Sequence, residues 1–156
     1  MQKADVAKTK WVRKTRQFSI ALICFALLTI GLLGGTDAKN TRLLKTSNGS
    51  YSLEIVDTPE KRSLGLGGRK GLDQSRGMLF VFDTPAVQCF WMKDMHFPID
   101  IIWLDTEKRV IEIAKNISPN TFPQTFCPKV EAKYVVELNA GEASRSGTNV
   151  RAKLNF

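Results

Sequence analysis

The sequence predicts a mainly β (α+β) fold: a compact, mostly antiparallel β barrel or sandwich with two short helices. Three observations carry that expectation. About seven short segments of β character follow one another after residue 50. Turn residues, chiefly Gly, Pro, Asn and Asp, punctuate them roughly every ten positions. Some segments alternate apolar and polar residues and others are apolar throughout, the patterns of strands buried on one face or on both. With 156 residues, 43% hydrophobic and 24% charged, the chain can bury one real core.

Three regions are expected: a leader over 1–38, a linker over 39–50 and a domain over 51–156. Phe18 to Gly35 is the longest apolar run, broken only by Ser19 and Thr29. A cationic stretch precedes it and the polar Thr36-Asp37-Ala38-Lys39-Asn40 follows. This is the layout of a signal peptide or an N-terminal membrane anchor. Its length of roughly 27 Å as a helix leaves cleaved and retained forms both open. In either form the positive-inside bias keeps the amino terminus in the cytoplasm and exports the domain to the periplasm, the extracellular space or the outer face of the cytoplasmic membrane. The membrane is then a partner through residues 1–38.

The net charge is +8. Residues 1–38 carry six Lys/Arg against two Asp, so half the basic excess belongs to the leader. The domain is mildly basic and has no long run of like charge, which excludes a nucleic-acid footprint. Export leaves Cys89 and Cys127 in an oxidising compartment. They are either a disulfide, worth about 3–4 kcal/mol through loop closure, or two buried free thiols.

Asn40 to Ser50 is polar and reads as a tether. Tyr51 to Val56 alternates and predicts a first strand. Thr58-Pro59-Glu60 starts a short helix, with a capping hydroxyl and a proline in the first turn. Gly65, Gly67 and Gly68 end it at once. Arg69 and Lys70 leave this turn, but neither GxGxxG nor GxxxxGK[ST] is met, so no nucleotide loop and no cofactor is expected. Gly77 to Phe82 predicts a strand buried on both faces, closed by a turn at Asp83-Thr84-Pro85. Cys89 to Met95 is the next strand, ended by Pro98, and Ile99 to Leu104 another. A polar turn at Asp105 to Arg109 leads to Val110–Ala114. Three prolines make Asn116 to Lys129 an irregular arm. Lys133 to Leu138 is a strand with Glu137 embedded in it. A short helix follows over Ala143–Arg145, and Lys153 to Phe156 closes the chain as a last strand.

Several stretches together resemble one family, DUF192 (UPF0127). They are Arg62-Ser63-Leu64-Gly65-Leu66-Gly67-Gly68-Arg69, Gly77 to Phe82, Phe90-Trp91-Met92-Lys93-Asp94-Met95 with Pro98 to Ile102, and Tyr134 to Gly141. The resemblance runs from about Tyr51 to the end. It implies a small β-rich domain, commonly behind a signal peptide or anchor, and no established activity. One departure is visible: the family usually carries a Gly-Asp pair before the last strand, and Arg151-Ala152 stands there.

Cys89 to Asp100, CFWMKDMHFPID, concentrates the chemistry. The candidate ligand-binding residues are Arg69, Trp91, Lys93, Asp94, Asp100 and Glu137. An exposed Trp beside a Lys and an acid suits a small polar ligand, through stacking and one charged hydrogen bond. The expected role is a small-ligand-binding or accessory module of the cell envelope. One alternative is a hydrolase drawing a carboxylate pair from Asp94, Asp100 and Glu137, although no spacing selects a catalytic set. Another is a soft-metal, copper-binding protein using Met92, Met95 and His96. Strand alternation sends Met95 to the face opposite Met92 and His96. It also puts Cys89 and His96 on opposite faces and about 23 Å apart, which removes them as a nucleophile–base pair.

Overall fold

Six strands form one open mixed sheet in the computed structural model, which describes residues 40–156. The leader expected over 1–38 lies outside the described residues. Among those described, no helix is long and apolar enough to cross a membrane.

The segment expected as a linker is instead the first strand. Strand β1, Thr41–Thr46, pairs antiparallel with β2, Gly49–Val56, across a turn at Ser47-Asn48. Its own hydropathy is low. The neighbouring strand supplies the ladder, and Leu44, wholly buried, supplies the anchor. Helix α1, Pro59–Leu64, starts where Thr58 accepts a hydrogen bond from the Lys61 amide and Pro59 fills the first turn. The crossover through α1 brings β3, Arg76–Ala86, parallel to β2. Strand β3 runs through Asp83-Thr84-Pro85, where a turn was expected, and absorbs a register shift between Val81 and Ala86.

The rest is antiparallel. Strands β5 (Ile99–Leu104), β6 (Val110–Ile117) and β8 (Ala132–Asn139) complete the order β1-β2-β3-β8-β5-β6. A separate two-stranded sheet joins β4, Phe90–Trp91, to β7, Thr125–Phe126. The Cys89–Cys127 disulfide clamps it. Helix α2, Glu142–Arg145, follows β8. The fold is therefore mainly β with two short helices, as expected, and its sheet does not close into a barrel. Closure would need β1 to pair with β6. The C-terminal segment intervenes, with single bridges from Asn155 to Lys45 and from Lys153 to Arg109, so it straps both edges without forming the expected last strand.

Each face of the sheet carries a core. Leu44, Leu53, Leu79, Ile102, Val136 and Leu138 share one, and Leu154 packs into it from the strap. Met78, Phe80, Ile101, Trp103 and Val135 share the other, capped by Leu66 and Met92. This is why β5 is buried throughout and apolar but for Asp100: its odd and even residues enter different cores. Gly77 sits where β3 passes closest to its neighbours. A Cβ there would lie 2.6 Å from Leu138 Cδ2, 2.7 Å from Leu53 Cδ2 and 2.8 Å from the Glu137 carbonyl oxygen.

Candidate functional site

A cavity of about 700 Å³ opens on the second face, between α1, the glycine-rich turn, β3 and β4. That volume is in the range of small-molecule sites. Gly65 ends α1 at φ 50°, a conformation that favours glycine, and its missing Cβ faces the Phe80 ring at 3.4 Å. Leu66 then anchors the turn in the core. The Gly68 amide donates to the Asp94 carbonyl at 2.9 Å, which stitches the glycine turn to the turn that follows β4.

The expected strand over Cys89–Met95 is only two residues long. Met92 to Met95 form a turn, with Asp94 at φ 57°. Asp tolerates this region better than most residues. The turn lets Met92 drop into the core while Lys93 and Asp94 stay exposed at the mouth of the cavity. Aromatic contacts hold β4 against the sheet. Phe90 meets Phe80 edge-on at 4.9 Å and Trp103 at 6.2 Å, and Trp103 Nε1 donates to the Gln88 carbonyl at 2.7 Å. Trp91 is 52% exposed, with Phe122 edge-on at 5.7 Å and Lys93 Nζ 5.8 Å from its ring centroid.

Glu137 is the floor. In the register of the sheet it lies level with Met78 on β3 and Ile101 on β5, and Glu54 on β2 continues the row. The residue is 6% exposed, it lines the cavity, and no hydrogen bond reaches its carboxyl from any described residue. Burial pushes that carboxyl up to about 8, against the pull of the Arg69 charge.

Four of the six expected site residues line this cavity: Trp91, Lys93, Asp94 and Glu137. Arg69 sits beside it. Its Nη2 reaches the Glu54 carboxylate at 3.0 Å, in a smaller polar cleft with Asp73 and Arg76. Asp100 belongs elsewhere. On β5 it alternates with Ile99 and Ile101, so it faces the opposite core with Ile102. Its Oδ1 accepts from the Asn116 amide at 2.8 Å and its Oδ2 from the Ala143 amide at 2.9 Å. Asp100 thus caps α2, whose own cap position, Gly141, has no side chain to do so.

Sequence reasoning missed Arg62, Phe80, Phe82 and Phe90 as cavity walls. Arg62 is committed to structure. It donates at 2.8 Å to both the Asp57 and Val81 carbonyls and stacks 5.1 Å from the Phe82 ring centroid. Only the glycine turn signalled this wall, because tight backbone approach often serves a site. The copper alternative loses Met92, which is core, while Met95 lines the cavity and His96 is exposed outside that lining. Among the described residues no group of three or more His, Cys, Asp or Glu could hold a metal ion.

The sequence profile of DUF192, described as uncharacterised ACR, matches residues 42–156. No curated protein matches the chain. Two solved structures are similar. One is a protein of unknown function from Novosphingobium aromaticivorans, with TM-score 0.67 and 27% identity, covering 74% of this chain and 84% of its own. The other, from Sinorhizobium meliloti and provisionally described as a transcription regulator, has TM-score 0.67 and 28% identity, covering 72% and 89%.

Proposed function

The chain belongs to the DUF192 family, and we propose that its domain is a small-ligand-binding module of the cell envelope, held outside the cytoplasm behind residues 1–38. The observation that carries the ligand reading is Glu137. A carboxyl with no hydrogen-bond partner among the described residues, lining an aromatic-walled cavity, invites a polar group from a ligand. Trp91 offers a stacking surface at the mouth, and Lys93 and Asp94 offer polar contacts there. The Cys89–Cys127 disulfide supports an oxidising location.

The ligand reading is tested by native mass spectrometry of the full chain after exposure to small-molecule extracts of the envelope. The wild type should retain a compound. The variant Ser63→Trp, at an exposed position on α1 that lines the cavity, should lose it while keeping its fold. Retention by both proteins, or by neither, would overturn the reading. The location is tested by reporter fusions at the carboxyl terminus. Alkaline phosphatase should be active and β-galactosidase inactive, and the reverse pattern would refute export.

A hydrolase is the second reading, favoured by one feature. A carboxyl held near 8 keeps its proton at neutral pH, as a general acid must, and Asp94 lines the same cavity. Turnover of any glycoside or ester that vanishes in Glu137→Gln would move the balance to this reading.

A further inference from the structure

We infer that the ligand of this cavity is a primary amine on an apolar or aromatic body, with its ammonium on Glu137 and its body against Phe80, Phe90 and Trp91. This rests on the small-ligand reading and narrows it.

The charges around the cavity are unevenly committed. Arg62 Nη1 donates to two backbone carbonyls and its guanidinium lies over Phe82, which holds it in the wall. Arg69 is paired with Glu54 outside the cavity. Lys93 and Asp94 are exposed at the mouth, where water screens them. Among these charge-capable groups Glu137 alone is nearly buried, and no counter-charge from a described residue contacts it. A group there gains most by supplying what the carboxyl lacks. An alcohol supplies one hydrogen bond. An ammonium supplies a hydrogen bond and a full opposite charge in a site of low dielectric. A ligand carboxylate would instead face an acidic floor. The walls agree, since aromatic faces attract cations and shelter hydrocarbon equally well. Lys93 Nζ already lies over the Trp91 ring, so that face accepts an ammonium.

Binding such an amine must eject the Glu137 proton. Below pH 8 only a fraction of the protein has the ionised carboxyl, and apparent affinity falls with that fraction. Neutral ligands lack this dependence.

The test uses the full-length protein and three matched probes, 2-phenylethylamine, 2-phenylethanol and 3-phenylpropionate, titrated by NMR chemical-shift changes between pH 6 and 8.5. At pH 8.5 the amine should bind about tenfold or more tightly than the alcohol. Its affinity should rise by roughly tenfold per pH unit between 6 and 7.5, while that of the alcohol stays level. Glu137→Gln, whose fold the same spectra report, should erase the amine's advantage over the alcohol and the rise of its affinity with pH. If the alcohol or the carboxylate matches the amine in the wild type, the amine assignment is wrong and small-ligand binding stands. The same holds if Glu137→Gln keeps the preference. If no probe perturbs the cavity residues, the amine assignment is wrong, and the small-ligand reading is decided by the Ser63→Trp comparison.

Discussion

Replacing Glu137 by Gln should stabilise the protein, and increasingly so as pH rises. The carboxyl is held near 8 in the folded state against an ordinary value of 4.5. Between those two values the folded protein keeps a proton that the unfolded chain has released. Stability therefore declines with rising pH, by about 1.4 kcal/mol per unit, and the decline ends above the folded value. Over the whole interval the loss approaches about 5 kcal/mol, an upper figure because water entering the cavity can solvate the carboxylate. Gln has nearly the same shape and does not titrate. Every other titrating group is common to both proteins, so the difference between them isolates this one carboxyl. Urea unfolding at several pH values measures it. The two proteins should be close at pH 4.5, and the variant should be more stable by about 3–5 kcal/mol at pH 8.5. A gap constant to within about 1 kcal/mol across that range would refute the reasoning.

Three further outcomes follow from the geometry. Asp100→Ala removes the acceptor of two backbone amides, Asn116 and Ala143, and should cost about 2–5 kcal/mol, with faster amide exchange in α2 as its local signature. Gly77→Ala drives a Cβ to 2.6 Å from Leu138 and 2.8 Å from the Glu137 carbonyl oxygen, and should lower the urea midpoint by the equivalent of about 2–3 kcal/mol. The double variant Cys89→Ser, Cys127→Ser opens a loop with a sequence separation of 38 and should cost about 4 kcal/mol, a loss that reductant reproduces in the wild type.

The strands legible in the sequence were those whose own side chains decide their state. Ile99–Leu104 and the first residues of β6, Val110–Ala114, carry enough hydrocarbon to declare themselves, whereas β6 runs on to Ile117, into the arm expected from Asn116. Strand β1 does not, because Thr41, Arg42, Lys45 and Thr46 become a strand only when β2 offers a ladder. The two-residue β4 was misread for the converse reason. Phe90 to Met95 has the composition of a strand, but the Asp94 backbone turns there and the Gly68 amide, from a distant segment, holds the turn. Within the site, alternation along β5 opposes Asp100 and Ile102 to Ile101, but the sequence offered no reason to part Asp100 from Glu137. What the sequence could not reveal was strand order, and without it no pairing of Glu137 with Met78 and Ile101 could be drawn.

That pairing separates two buried acids that look alike in the sequence. Asp100 is completely buried and both its oxygens are occupied by backbone amides, so it repays its desolvation within the fold. Glu137 has hydrocarbon on its sheet neighbours Met78 and Ile101, and no hydrogen bond from a described residue repays it; only the charge of Arg69 offsets part of the cost. A Met or Leu at 137 would satisfy the same strand, the same face and the same core. A protein that keeps a destabilising carboxyl where hydrocarbon would serve has a use for it beyond folding. The two acids should therefore separate under mutation. Asp100→Ala should weaken the fold with no change in the pH dependence that Glu137 imposes. Glu137→Leu should strengthen the fold at neutral pH and abolish amine binding. If Glu137→Leu instead destabilises the protein at pH 8, the carboxyl has a structural partner and the functional argument fails.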